Sequence, residues 1–257
     1  MMSGNKTLVL VSEGLHPLSS RARRAEGDAR ALEMALQQDD SLEVVFAGDA
    51  SSAALREYLG MGLKKLNVLS VSDNADYAKA LSVYAKQGQF SVILCGARAE
   101  HGESSGMVPY IVGEAVGAAI VPEVVGVLTQ SDSHVEVLQA LAGGQRRKLR
   151  VSLPAVLIAS ASAPAPRQSA FTVARDGVIN VWEVKAETDT AKESWQWHAA
   201  KKRPKRTKAV AANASSRDRF LAATAAQASS GGTVLSNVSA QEGAEAIIAQ
   251  LKKDGVL

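Results

Sequence analysis

Short apolar runs alternate with longer amphipathic stretches along the first part of the chain. The apolar runs are rich in Val and Leu and lie at residues 7–12, 42–47, 67–71 and 90–95. Runs of this length are typical of strands that are buried on both faces of a sheet. The stretches between them place apolar side chains at helical spacing and predict helices over residues 28–38, 51–61 and 73–86. Strands that alternate with helices favour right-handed crossovers and a parallel sheet.

The pattern changes after the fourth apolar run. Ser104 and Ser105 precede a helix predicted over residues 106–118, and strands are then predicted at 124–128, 135–141 and 148–158, the last of them broken by Pro154. Alternating apolar and polar side chains separated by polar turns are typical of antiparallel strands. We therefore predict an α/β fold, a Rossmann-like parallel sheet with helices on both faces and an antiparallel extension, plus an extended C-terminal arm.

The last third of the chain has a different character. Residues 160–169 resemble a Pro/Ala/Ser linker, and a hairpin is predicted around Asp176 and Gly177 within 171–184. The polar stretch 185–232 has too few apolar side chains to fold alone. A strand at 232–236 and a helix at 240–253 are predicted at the end. The expected organisation is a nucleotide-binding-like α/β domain (1–160), a linker, hairpin and partner-recognition segment (161–232), and a strand–helix arm that folds on another subunit (233–257).

Composition narrows the class of protein. The 257 residues are 46% hydrophobic but only 4% aromatic, so the core is expected to consist of Ala, Val and Leu. The single cysteine, Cys95, excludes an internal disulfide framework and a Cys-rich zinc site. No run approaches the ~20 apolar residues of a membrane-spanning helix, and no signal-peptide pattern is present. We expect a protein of the bacterial cytoplasm that is not inserted into a membrane.

The positive charge is concentrated in one segment. The net charge is +3, and six Lys and Arg residues lie between positions 201 and 208 without an acid among them. Taking six charges from +3 leaves −3 for the rest of the chain, so the basicity is local. Nucleic-acid binders usually spread their cations over a face, and no nucleic-acid partner is expected. The run is either a solvated loop or a docking patch for an acidic partner protein.

Patterns that would indicate an enzyme or a metal site are missing. The four histidines have no metal-binding partner at helical spacing, and the stretch from Gly96 to Gly102 is not followed by the Gly-Lys-Ser/Thr of a P-loop. Cys95 ends a predicted strand, where a lone cysteine is more often a core residue than a nucleophile. Catalytic and metal-binding residues are therefore not predicted.

One local signal lies at the start of the helix after the fourth strand. Residues 103–106 read Glu-Ser-Ser-Gly at the carboxyl edge of the predicted sheet, where ligands collect in such folds. A helix start offers unpaired N–H groups to a phosphate, and two hydroxyls would add donors. An ordinary serine helix cap is the alternative interpretation.

The order of these elements resembles the beta subunit of electron transfer flavoproteins over nearly the full chain. The most specific segment runs from residue 140 to 167, where Gly-Gly, Leu-Pro-Ala-Val and Pro-Arg follow in the family's order. The other matching stretches are TLVLVSEG, DARALEMAL, VVFAGDASSAALREYLGMGLKKLNVLSV, FSVILCGARAEHGESSGMVPYIVGEAVG and GGTVLSNVSAQEGAEAIIAQLKKDGVL.

The resemblance implies an electron carrier rather than an enzyme. Such a beta subunit pairs with an alpha subunit that holds most of the FAD contacts, wraps its arm around that subunit and keeps a structural AMP. Electrons would pass from a flavin-dependent dehydrogenase through the FAD to a membrane electron transfer flavoprotein–quinone oxidoreductase. The matching cofactor-binding positions are Val11, Ser12, Ala47, Gly48, Gly96, Ala97, Glu103, Ser104, Ser105, Gly106 and Met107.

The chain departs from the family in two places. The loop after the fourth strand is shorter and lacks the family's aspartates and Gln-Thr pair. The family's aromatic residues near the flavin fall opposite Pro17 and Glu26. Flavin-bifurcating members of the family hold a second FAD in this nucleotide pocket and have a distinct acidic loop there. That acidic loop is missing from this chain.

The family's dehydrogenase-recognition loop has an apolar anchor followed by a lysine-rich run. Its nearest matches are Trp195, Trp197, Lys201, Lys202 and Arg203, with Phe171 as the alternative anchor. Trp and Arg supply many interface hot spots, although both tryptophans could instead pack on the alpha subunit or on their own domain. The insertion before this run favours a dehydrogenase other than the acyl-CoA type, such as one that oxidises a methylated amine. A stand-alone adenine-nucleotide-binding α/β enzyme and a non-redox interaction module are the alternatives.

Overall fold

The computed structural model describes residues 6–38, 42–72, 74–196, 198–199, 215–224 and 234–255. The chain divides into two compact units, one that ends at Gln196 and one that follows it. The strands of the first unit are β1 (Thr7–Val11), β2 (Glu13–Leu15), β3 (Ala22–Arg24), β4 (Glu43–Ala47), β5 (Lys65–Ser70), β6 (Val92–Gly96), β7 (Ala119–Gln130), β8 (His134–Ala140), β9 (Arg146–Ser152), β10 (Ala155–Ala159) and β11 (Val178–Glu183). Its helices are α1 (Glu26–Leu36), α2 (Ala53–Leu59), α3 (Tyr77–Gly88), α4 (Val108–Val116), α5 (Phe171–Asp176) and α6 (Thr190–Glu193).

A nine-stranded sheet organises the first unit, in the order β11-β5-β4-β1-β6-β10-β7-β8-β9. The pairs from β11 to β7 are parallel, and β7, β8 and β9 pair in antiparallel fashion. The predicted α/β class, with a parallel sheet and an antiparallel extension, is therefore confirmed. The short strands β2 and β3 form a separate hairpin between β1 and α1.

The core lies on both faces of this sheet. Along β1, Val9 packs with one buried cluster and Leu8 with the other, because successive side chains of a strand point to opposite faces. Helices α1 and α2 supply Leu32 and Leu55 to the first cluster. Helices α3 and α4 supply Leu81 and Val112 to the second, so the parallel strands are covered on both faces.

The hairpin predicted around Asp176 and Gly177 is wrong. Residues 171–176 form helix α5, and β11 then pairs in parallel with β5. Tertiary contacts, rather than the turn-forming pair Asp176-Gly177, determine the conformation of this segment. Arg56 of α2 donates from Nη1 to the carbonyl oxygens of Ala174 (3.0 Å) and Gly177 (2.9 Å), and the amide of Asn180 donates to Asn67 Oδ1 on β5 (3.1 Å). These bonds place β11 on the main sheet.

The strand predicted over 148–158 is broken around Pro154, as the sequence indicates, but its second half is not part of the antiparallel extension. Strand β9 ends at Ser152, and a cis peptide bond joins Leu153 to Pro154. The five residues of β10 are all buried, and the strand inserts in parallel between β6 and β7. An apolar run of this kind is suited to a strand covered on both faces rather than to an antiparallel edge.

The second unit contains α7 (Ser216–Thr224) and α8 (Ala240–Lys253). The helix predicted over 240–253 is confirmed. It begins at a capping box in which Ser239 and Glu242 bond each other's backbone N–H groups. The strand predicted at 232–236 is wrong for its described residues 234–236, which are not in a strand, and Gly232 lies outside the described residues. The three-part domain division itself remains a prediction.

Candidate functional site

The ends of three neighbouring strands meet at the carboxyl edge of the sheet. Ser12 follows β1, Gly48 follows β4 and Gly96 ends β6, and β1 lies between the other two strands. The chain leaves β1 towards β4 and later returns to β6 on the other side, so the strand order reverses here. Crevices at such reversals are the usual ligand sites of open α/β sheets. Val11, Ser12, Ala47, Gly48, Gly96 and Ala97 all lie at this edge, while their role in binding a cofactor remains a prediction.

A buried carboxylate fills the crevice between β1 and β6. Asp28, in the first turn of α1, accepts hydrogen bonds from Ser12 N (2.8 Å), Ser12 Oγ (2.5 Å) and Gly96 N (2.8 Å). A Cβ atom on Gly96 would lie 2.4 Å from Asp28 Oδ1, so only glycine leaves room for this carboxylate. The N–H groups of Ser12 and Gly96 are therefore already satisfied by the chain itself.

Burial dominates the electrostatics of this carboxylate. It raises the pKa of Asp28 from 3.8 to about 6, against the opposing effect of the hydrogen bonds from Ser12 and Gly96. Glu100 adds a further upward contribution. Nearby, the buried Tyr58 hydroxyl donates to Ser12 O (2.8 Å) and accepts from Ala25 N (2.9 Å), and burial raises the pKa of Tyr58 well above 10.

Cys95 lies in the core, as the sequence favours. The residue is buried on β6, and burial raises the pKa of its thiol far above its usual range. A thiol in this state is a poor nucleophile because the reactive thiolate is not populated. Over the described ranges, no three His, Cys, Asp or Glu side chains group closely enough to hold a metal ion.

The β6–α4 loop (residues 97–107) is built differently from the crevice. Gly102, Ser104 and Gly106 have left-handed φ angles of 80°, 54° and 74°. Within the described part of the chain, the backbone N–H groups of residues 98–106 donate no hydrogen bond. A right-handed residue followed by a left-handed one can turn successive N–H groups towards a common centre, an arrangement that suits an anion. The loop therefore offers backbone donors at the place where the sequence predicts a phosphate.

The two serine hydroxyls of this loop are used within it. Ser104 Oγ donates to Ala99 O (2.5 Å), and Ser105 Oγ accepts from Met107 N (3.3 Å), just before α4 begins at Val108. Glu103 and Met107 are exposed. The expectation that the hydroxyls supply phosphate donors is thus not supported by their present bonds. The alternative of a serine helix cap is wrong, because Met107 is the N-cap of α4 and no side chain caps that helix.

Glu100 joins this loop to two other elements. Its carboxylate accepts from Glu26 N at the start of α1 (2.7 Å) and from Arg23 Nη2 on β3 (2.8 Å). Sequence reasoning missed Asp28, Tyr58 and Glu100 as members of this site. Acidic residues are common in the first turn of a helix because they interact favourably with the helix dipole. The sequence therefore does not distinguish Asp28 from an ordinary acid at a helix start.

The end of β4 is shaped by its own turn. Gly48 has a φ of 148° and donates from its N–H to Leu69 O (3.0 Å). Asp49 accepts from Ser51 N (2.8 Å) and Ser51 Oγ (2.6 Å), and the hydroxyl of Ser51 holds the pKa of Asp49 below its usual range. Ser52 caps α2 and also bonds Glu13.

The proposed partner-binding residues are only partly described. Phe171 is the first residue of α5 and is 80% exposed, which is unusual for a large aromatic side chain. Trp195 follows α6 and is 41% exposed. Trp197, Lys201, Lys202 and Arg203 lie outside the described residues. The recognition role of all six residues remains a prediction.

Two comparisons with known proteins agree with each other. A family model described as the electron transfer flavoprotein domain matches residues 20–187. The electron transfer flavoprotein subunit beta of Chromohalobacter salexigens is 42% identical over 253 residues, which cover 97% of this chain and 94% of the relative. The similarity therefore extends over the sheet, the β6–α4 loop and the C-terminal helix.

Proposed function

Because the chain belongs to the electron transfer flavoprotein family and corresponds to its beta subunit, we propose that it relays electrons through an FAD held mainly by a partner alpha subunit. Members of this type carry electrons and are not enzymes, and they associate with a flavin and with an alpha subunit. The similarity over 97% of the chain is the observation that carries the proposal. When bound, FAD would supply the electron-accepting and electron-donating chemistry.

Exposed apolar side chains support the proposed subunit contact. Helix α8 exposes two adjacent isoleucines, Ile247 at 63% and Ile248 at 45%. Exposed apolar patches of this kind mark interaction sites more often than free surface. We assign to this helix a contact with the alpha subunit, in agreement with the C-terminal arm that the sequence predicts. No helix among the described residues is both long and apolar enough to cross a membrane.

AMP is the proposed ligand of the carboxyl edge. The residues present fit its phosphate at the β6–α4 loop, where the N–H groups of residues 98–106 are unpaired. They do not fit a phosphate in the crevice between β1 and β6, because Asp28 already takes the donors there. Gly102, Ser104 and Gly106 would hold the phosphate through their backbone, and the strand ends at Val11 and Ala47 would complete the pocket.

The donor and acceptor of electrons complete the proposal. We assign a flavin-dependent dehydrogenase as donor, such as one that oxidises a methylated amine, and a membrane electron transfer flavoprotein–quinone oxidoreductase as acceptor. Phe171 supports this assignment because an exposed aromatic side chain on a short helix is a suitable anchor for a partner protein. A cytoplasmic location is part of the same proposal.

Co-expression with an alpha-type subunit tests these assignments together. We expect a yellow complex that, after denaturation and mass analysis, releases FAD and AMP in stoichiometric amounts. Recovery of this chain alone, colourless and without nucleotide, would favour the non-redox interaction module. Turnover of ATP by the chain alone would favour the adenine-nucleotide enzyme.

A further inference from the structure

The β6–α4 loop has few ties to the rest of the first unit. Ser104 and Ser105 bond only partners inside the loop. Among the described residues, Glu100 carries the only side chain of residues 97–107 that hydrogen-bonds a residue outside the loop. Among the described residues, one carboxylate therefore supplies the side-chain hydrogen bonds that join the loop to the rest of the first unit.

That carboxylate is held from two directions. One oxygen accepts from Glu26 N at the start of α1 (2.7 Å), and the other accepts from Arg23 Nη2 on the β2–β3 hairpin (2.8 Å). The side chain of Glu100 is 26% exposed to solvent and the side chain of Arg23 is 32% exposed, so water can reach both groups. A hydrogen bond to a charged group contributes modestly to stability and a partly exposed ion pair contributes less, so these contacts can be broken reversibly.

Gly14 leaves the space that the carboxylate needs. A Cβ atom at this position of β2 would lie 2.5 Å from Glu100 Oε2 and 3.0 Å from Ala25 Cα. A methyl group there would push the end of the Glu100 side chain away and leave the loop sequence unchanged. The hairpin, the start of α1 and the loop thus meet at Glu100.

We propose that Glu100 is a clasp that holds the β6–α4 loop closed against α1 and the β2–β3 hairpin, and that its release sets the rate at which a nucleotide leaves the pocket. The proposal rests on the nucleotide pocket assigned above. Glu100 is a positioning residue in this role, since the backbone N–H groups of the loop would contact the phosphate. Asp28 holds the end of β6 independently, so opening would move the loop and leave the strand in place.

Release of AMP is the first test. The full-length chain, with any subunit that co-purifies with it, is loaded with radiolabelled AMP and chased with unlabelled AMP. Glu100→Gln should release AMP about 3- to 10-fold faster than the wild type, because the charged contacts to Glu26 N and Arg23 are lost. Glu114→Gln removes an equal charge from an exposed position of α4 and should release AMP at the wild-type rate. Equal rates in all three proteins would overturn the proposal.

A second test needs no ligand. Arg98 is exposed in the loop, and trypsin cleavage after it reports loop opening. Gly14→Ala keeps the loop sequence and should be cut after Arg98 several-fold faster than the wild type, with the fragments followed by mass. Unchanged cleavage would contradict the clasp even if AMP does not bind. Failure of the wild type to bind AMP would count against the proposed nucleotide instead, and the cleavage result would still decide the role of Glu100.

Discussion

Two regions at the same edge of the sheet satisfy their backbone donors in opposite ways. In the crevice between β1 and β6, the buried carboxylate of Asp28 takes the N–H groups of Ser12 and Gly96. In the adjacent β6–α4 loop, the N–H groups of residues 98–106 have no partner among the described residues. A buried N–H group without an acceptor destabilises the fold, whereas an N–H group that faces solvent can bond to water and remains available to a ligand. The difference divides the edge into a structural part and a part that is available for binding.

Removing the crevice carboxylate should produce the largest effect. Asp28→Ala leaves the N–H groups of Ser12 and Gly96 without acceptors, and we expect a loss of about 3 kcal/mol in the free energy of unfolding. Chemical denaturation of the purified protein measures it. Asp132→Ala removes an exposed aspartate from the turn before β8 and serves as the control. A loss below about 1 kcal/mol, within the usual range of surface changes, would mean that the crevice does not depend on Asp28.

The contribution of Asp28 to the free energy of unfolding should increase as the pH is lowered. The pKa of Asp28 is raised from 3.8 to about 6 in the folded protein, so the folded state binds more protons than the unfolded state between these values. Stability from this group is therefore greatest at the acidic end and falls as the pH rises from about 4 to about 6, by on the order of 2 kcal/mol. The stability gap between wild type and Asp28→Ala should widen when unfolding is measured at pH 4.5 instead of pH 7. A gap that narrows on acidification would contradict this assignment.

The sheet could be predicted because its signal is local. Runs such as residues 7–12 and 90–95 are mostly apolar and rich in β-branched side chains, which is typical of a strand covered on both faces. For strand β11 the sequence wrongly predicts half of a hairpin, because Asp176-Gly177 is a typical turn pair. Its true partner is β5, more than a hundred residues away in the chain, held through Arg56 and Asn67. Such tertiary contacts leave no trace in a short window of sequence.

The site was predicted in its position and missed in its chemistry. The carboxyl edge follows from the alternation of strands and helices, so the sequence alone predicts Ser12, Gly48 and Gly96 at one edge of the sheet. Asp28 and Glu100 were not found because their partners are backbone N–H groups of distant elements. A pairing of that kind depends on where the chain folds and carries no residue pattern. Residue type predicts that the hydroxyls of Ser104 and Ser105 donate to a phosphate, although in the structure both hydroxyls bond partners within the loop.

The available part of the edge should depend on the backbone of the loop. Gly106 has a φ of 74°, and a Cβ atom there would lie 3.0 Å from Ala97 O. Gly106→Ala should therefore disturb the loop and weaken AMP binding about tenfold, since a left-handed conformation costs a non-glycine residue about 1–2 kcal/mol. Isothermal titration calorimetry measures the affinity. Gly144→Ala introduces similar strain at a φ of 76° in the turn between β8 and β9, and should leave AMP affinity unchanged.

The smallest effect is expected at the two serines. Ser104→Ala and Ser105→Ala remove hydroxyls that bond Ala99 O and Met107 N and leave the N–H groups of residues 98–106 in place. AMP affinity should change by no more than about twofold in each variant, because the phosphate is held by backbone donors. The same calorimetric titration as for Gly106→Ala allows a direct comparison. A tenfold loss at either serine would show that a hydroxyl turns from the loop to the phosphate when the nucleotide binds, and would transfer the main recognition role from the backbone to that side chain.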